Sequence, residues 1–74
     1  MKNILLSQDI VELTNRLVEH YPLTSKENIA NMLSTTDACS LNLAFHFHWM
    51  FNVPYLPVRG IIQEYKLQNN LDDK

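Results

Sequence analysis

One cysteine, one glycine, three prolines and six basic residues in 74 positions set the first limits on this chain. Cys39 alone cannot close an internal disulfide, and no CxxC pair offers the spacing of a structural zinc site. A lone thiol suits a reducing compartment, and Met1-Lys2 is followed by only three apolar residues, Ile4 to Leu6, too few for a secretory signal. The cytoplasm is therefore the expected location. No run approaches the roughly 18 apolar residues that a membrane span needs. Gly60, as the only glycine, excludes a Gly-rich phosphate loop. Basic residues are also few: Lys2, Arg16, Lys26, Arg59, Lys66 and Lys74 are scattered against eight acids, for a net charge of -2. A continuous phosphate-binding stripe is thus absent. Scarce Gly and Pro beside 46% hydrophobic residues exclude a disordered or low-complexity chain, and there is no internal repeat.

What is present reads as one small all-α domain of four short helices. A chain of this length buries only about 60% of the surface that it exposes when unfolded. Small domains usually add disulfides, a metal or a partner subunit. With no sign of the first two, and no cofactor motif, a homodimer is expected.

The first helix is expected near 8 to 21. Ile10, Leu13, Leu17 and Tyr21 recur at steps of three and four with Val18 beside them, and Glu12, Asn15, Arg16 and Glu19 fill the opposite face. Ser7 is placed to cap it, Glu12 and Arg16 form a favourable i,i+4 pair, and Pro22 stops it. Thr24-Ser25-Lys26-Glu27 has the spacing of a capping box for a second helix near 25 to 34, which carries Ile29, Ala30 and Leu33 inward. The fourth helix, near 57 to 68, starts at Pro57 and aligns Val58, Ile61, Ile62 and Tyr65; residues 69 to 74 read as a frayed tail.

The third segment, 38 to 51, carries two signals. Leu41, Leu43, Phe45, Phe47, Trp49 and Phe51 alternate with Asn42, Ala44, His46, His48 and Met50, which is the period of a strand. Against this, residues 40 to 51 contain no Val, Ile or Thr, and no long partner strand exists elsewhere. Composition favours a helix, apolar almost all round apart from a narrow stripe at Cys39, Asn42 and His46, and hence a buried central helix.

The stretch from 47 to 62, FHWMFNVPYLPVRGII, resembles the helix-turn-helix of small bacterial and phage DNA-binding regulators. Asn52 stands where that family needs a left-handed turn residue, and Val53 where a buried aliphatic follows. Phe47 and Phe51 match the apolar positions of the first helix, Val58 and Ile61 those of the second. His48 departs from the pattern, since the family has Ala or Gly there; an imidazole must be accommodated or the helix angle opened. The resemblance implies that the fourth helix enters the major groove of DNA, with Tyr55, Arg59 and Gln63 near the bases and Lys66 at a phosphate. An ordinary helical hairpin with an Asn-Val-Pro turn fits the same residues.

Catalytic and metal constellations fare poorly. His46 and His48 would share an ion on a strand, but on a helix they lie about 200° apart. Cys39 and His46 on one helical face would stand roughly 10 Å apart, too far for a nucleophile and its base. No pair of carboxylates can be placed as acid and base, so an enzyme is not expected. The stripe Phe45, Phe47, Trp49, Phe51 and Tyr55 reads first as core, yet three short helices cannot cover a helix that is apolar on nearly every side. The function expected first is a dimeric DNA-binding transcriptional regulator of helix-turn-helix type; the alternative is a non-enzymatic protein-binding modulator, an inhibitor or adaptor, that docks through Trp49, Tyr55 and Leu56.

Overall fold

The structure, a computed structural model, describes residues 3 to 72. It is all-helical: α1 (Ser7–His20), α2 (Lys26–Thr35), α3 (Ser40–Phe51) and α4 (Tyr55–Gln68). Consecutive helices pack in the pairs α1 with α2, α2 with α3 and α3 with α4, and α4 returns to α1, so each helix touches two neighbours in a closed ring. Leu13 and Leu17 of α1, Ile29, Met32 and Leu33 of α2, Leu43, Ala44 and Phe47 of α3, and Val58, Ile62 and Tyr65 of α4 fill the centre. Each large side chain in that cluster contributes about 1.5 to 3 kcal/mol by leaving water.

The helix ends differ from the expected ones by small, explicable shifts. Ser7 is the first helical residue of α1 and makes no cap; Leu6 holds the extended N-cap position. In the Thr24–Glu27 box the cap moves one residue on. Ser25 Oγ accepts from the Asn28 amide at 3.3 Å, while the Thr24 hydroxyl donates back to the Tyr21 carbonyl at 2.6 Å and closes the turn that Pro22 began. Before α3, an Asp37 carboxylate oxygen accepts from the Cys39 amide at 3.2 Å, and the Ala38 amide donates to the Asn3 carbonyl at 2.5 Å, which ties the segment before α1 to the α2–α3 connection. α4 starts two residues earlier than expected, because Pro57 is tolerated in the first turn, where no intrahelical donor is needed.

The expected frayed tail is corrected for its first residues. Asn70 adopts a left-handed conformation at φ 56°, the Leu71 amide donates to the Lys66 carbonyl at 2.8 Å, and the Asn70 amide reaches the Leu67 carbonyl at 3.4 Å. These bonds make a Schellman turn, in which Leu71 folds back against the core. The rest of that expected tail, residues 73 and 74, lies outside the described residues, as does Lys2.

A second correction concerns α3, which is not buried on all sides. Successive residues of a helix turn by 100°, so residues two apart point about 200° apart. A strictly alternating apolar pattern wound into a helix therefore yields two opposed apolar stripes. One of them, Leu43, Phe47 and the half-buried Phe51, faces the core, where Phe47 packs on Tyr21 at 5.4 Å and on Phe51 at 4.7 Å between ring centroids. The other, Leu41, Phe45 and Trp49, faces solvent.

Candidate functional site

The turn between α3 and α4 forms as the pattern of turn residues requires. Asn52 takes the left-handed conformation, φ 54° and ψ 50°, Val53 is half-buried against the core, and Val58 is fully buried. His48 is accommodated at the close approach by a hydrogen bond. Its Nδ1 lies 2.5 Å from the Val53 carbonyl oxygen. A carbonyl can only accept, so Nδ1 carries a proton and donates it to this bond. The bond holds the imidazole across the turn and ties the end of α3 to the residues leading into α4.

Around this turn four rings form one continuous cluster on the outside of the molecule. Phe45 and Trp49 stack with planes 9° apart and centroids 6.2 Å apart; Phe45 meets the Tyr55 ring edge-on at 6.1 Å, and His48 meets both Trp49 at 5.7 Å and Tyr55 at 6.5 Å. Trp49 keeps 71% of its surface exposed, Phe45 48% and Leu56, the second residue of α4, 73%. Leu41 and Met50 are about half exposed beside them. Asn42 and His46 flank the stripe, and with Phe45 and Trp49 they line a shallow depression. α3 contributes no Asp, Glu, Lys or Arg to this surface.

The residues expected to meet DNA fare unequally. Arg59 and Gln63 are half-buried on α4, and the Arg59 Nε is withdrawn from solvent with no hydrogen-bond partner among the described residues. Tyr55 turns its ring into the aromatic cluster and its hydroxyl away from solvent. Lys66, which the resemblance puts at a phosphate, keeps only 2% exposure, and its ammonium donates to the Ala38 carbonyl. It is a structural residue that joins α4 to the α2–α3 connection, not a phosphate contact. The exposed positions of α4 are instead Leu56, Pro57, Gly60, Glu64, Leu67 and Gln68.

Sequence reasoning missed a second polar cluster, at the junction of α1 and α4. The single phenolic proton of Tyr65 is shared between Asp9 Oδ1 at 2.8 Å and Glu12 Oε2 at 2.9 Å. Burial, donation to these two carboxylates and their negative charge all push the Tyr65 phenol above its ordinary value near 10. Arg16, expected to pair with Glu12 along α1, stacks on the Tyr65 ring at 5.1 Å and donates to Gln68 Oε1 at 2.6 Å. Asp9 lies in the first turn of α1, four residues before Leu13 and on the same buried side, the one local sign of this role.

For catalysis and metals the geometry adds nothing to the sequence reading. Among the described residues no three His, Cys, Asp or Glu side chains come together as a metal site. Cys39 occupies the N-cap of α3, half-buried, and His46 lies exposed farther along that helix. No helix among the described residues is long and apolar enough to cross a membrane. Comparison with protein-family models, curated proteins and solved structures found no match to the chain.

Proposed function

We propose that this protein acts without catalysis, as a protein-binding module whose contact surface is the outer stripe of α3 and the first turn of α4. The observation that carries this reading is the exposed pair Phe45 and Trp49, backed by the half-buried Tyr55 ring, with Leu56 exposed at the start of α4. Rigid aromatic side chains dominate interface energetics, because they bring large area at little conformational cost. Here Phe45 lies against both Trp49 and Tyr55, so the rings already stand together before any encounter. The lone half-buried thiol fits action in a reducing cytoplasm.

A benzophenone amino acid in place of Leu56, irradiated in cells, should give protein adducts, whereas the same probe in place of the exposed Glu19 on α1 should not. Equal labelling from both positions, or none from Leu56, sinks the reading.

One observation favours a second reading, the DNA-binding transcriptional regulator: the left-handed Asn52 with Val53 and Val58 packed behind it supports a helix-turn-helix-like α3–α4 pair. Its cation supply is thin, since Lys66 is sequestered and Arg59 is the one other basic residue on α4. If it holds, the chain should bind duplex DNA at about 50 mM salt, where phosphate attraction is strongest, and Arg59→Ala should cost about 1 to 3 kcal/mol of that affinity. Absence of binding under those conditions removes it.

A further inference from the structure

We infer that the occupant of this surface is a second copy of the same chain, paired through α3 about a two-fold axis. The inference rests on the interaction-surface reading above and names its partner.

Charge gives the first argument. A two-fold interface sets every residue near the axis against its own equivalent, so any formal charge there meets a like charge. This chain carries a net -2, yet residues 40 to 51 contain no Asp, Glu, Lys or Arg. The α3 face is therefore a part of an acidic surface on which two copies can approach without repulsion. Asn42 and His46, exposed along the edge of the stripe, supply polar groups for a rim.

Area gives the second. Leu41, Phe45, Trp49, Met50 and Leu56 are each about half exposed or more. With roughly 150 to 250 Å² on each aromatic side chain, Phe45 and Trp49 alone leave about 250 Å² in water, and at roughly 150 Å² on each aliphatic one Leu41, Met50 and Leu56 bring the total to about 500 Å². That lies at the upper end of the largest patch a monomer leaves exposed, about 300 to 600 Å², and with its polar rim approaches the roughly 800 Å² per partner of a standard interface.

Spacing gives the third. Leu41, Phe45 and Trp49 follow one another at four-residue steps. An antiparallel crossing centred on Phe45 places each Phe45 against its equivalent and each Leu41 against the Trp49 of the second copy. The bulkiest side chain then meets a smaller one, and the stripe is matched along its whole length.

The test uses the full chain, purified, from about 1 to about 500 µM, a range that spans weak and strong self-association. Sedimentation equilibrium should show the mass moving from one chain to two, and the emission of Trp49, the chain's only tryptophan, should shift to the blue over the same range. Phe45→Glu and, separately, Leu41→Glu should weaken association by about tenfold or more with an unchanged circular dichroism spectrum. Leu23→Glu, at a fully exposed position in the α1–α2 connection, should leave association as it was. A single-chain mass at every concentration overturns the inference, as does a dimer that survives both glutamate substitutions. The benzophenone probe at Leu56 separates the two failures. Protein adducts without self-association leave the surface intact and give it a different partner, whereas no protein adduct removes the surface itself.

Discussion

Where α1 meets α4, a lysine, an aspartate and a tyrosine are withdrawn from water, whereas on the outer side of α3 a tryptophan, a phenylalanine and a methionine are left in it. In the first region each polar group has a stated partner: Lys66 the Ala38 carbonyl, Tyr65 the Asp9 and Glu12 carboxylates. In the second, Phe45 and Trp49 have only ring contacts with each other, His48 and Tyr55, and about half or more of their surface stays in water. The contrast separates two tasks that a large protein would distribute over different domains. Buried polar bonds are directional, so they fix how α4 sits on α1 and on the α2–α3 connection more sharply than aliphatic packing does. The exposed rings fix little in the fold, and are available for contact with another surface. Substitutions in the two regions should accordingly move different quantities: stability in the first, association in the second.

The largest effect is expected at Lys66. Replacing it by Ala removes a charge-assisted hydrogen bond to the Ala38 carbonyl and empties the volume of a buried four-carbon stem. Lys66→Ala should cost about 3 kcal/mol of unfolding free energy, read as a lower urea midpoint at unchanged slope. A loss below about 0.5 kcal/mol would mean that Lys66 behaves as a surface residue and that the contrast between the two regions is overdrawn.

That lysine also marks where the sequence stops being legible. α1, α2 and α4 follow from periodicity and stop signals, and their inward faces from the spacing of Leu13, Leu17, Ile29, Leu33, Val58 and Ile62, whereas α3 follows from composition against a strand-like period. Those signals depend on neighbours within one helix. The partner of Lys66 lies 28 residues away and those of Tyr65 lie 56 and 53 residues away, so no local pattern could announce them. For the candidate surface the residues were visible and the geometry was not. Trp49, Tyr55 and Leu56 stand out by type, but assigning Phe45 to the core ignored that an alternating stripe divides in two once it is wound at 100° per residue.

Tyr65→Phe probes the same polar region more gently. It keeps the buried ring and removes the hydroxyl that donates to Asp9 and Glu12, so a loss of about 1.5 to 2.5 kcal/mol near neutral pH is expected. It should also alter the alkaline limb. In the folded protein the Tyr65 phenol is raised above its unfolded value near 10, by burial first and then by its carboxylate acceptors. Its contribution is therefore fully present below about pH 10 and is lost as pH rises through the folded value, because the unfolded chain releases the proton first. Chemical denaturation repeated from about pH 8 to 11 should show a shallower decline in Tyr65→Phe than in the unsubstituted chain. Equal slopes would place the alkaline sensitivity elsewhere.

Gly60 lies on the exposed side of α4, between the polar region and the start of the aromatic surface. A Cβ built on it meets nothing within 4 Å, and its φ is not positive. Gly60→Ala should therefore stabilise the domain by about 0.5 to 1 kcal/mol, the ordinary difference between these residues inside a helix, as a rise in thermal midpoint. If association falls while stability rises, the contact surface extends along α4 as far as Gly60; if both hold or rise, it ends in the first turn.

Trp49→Ala should have the smallest effect on the fold, and it defines the contrast most closely. With 71% of the side chain in water, its folded-state environment differs little from that in the unfolded chain, and the main loss is its stacking on Phe45. Unfolding free energy measured at low micromolar concentration, where self-association contributes least, should change by no more than about 0.5 kcal/mol. The same substitution should lower association strongly, because a large ring that is exposed in the single chain becomes buried only when a second surface covers it. A stability loss of about 2 kcal/mol or more in the dilute protein would show that Trp49 supports the α3–α4 corner itself, and the outer stripe of α3 would then belong to the fold and not to an interface.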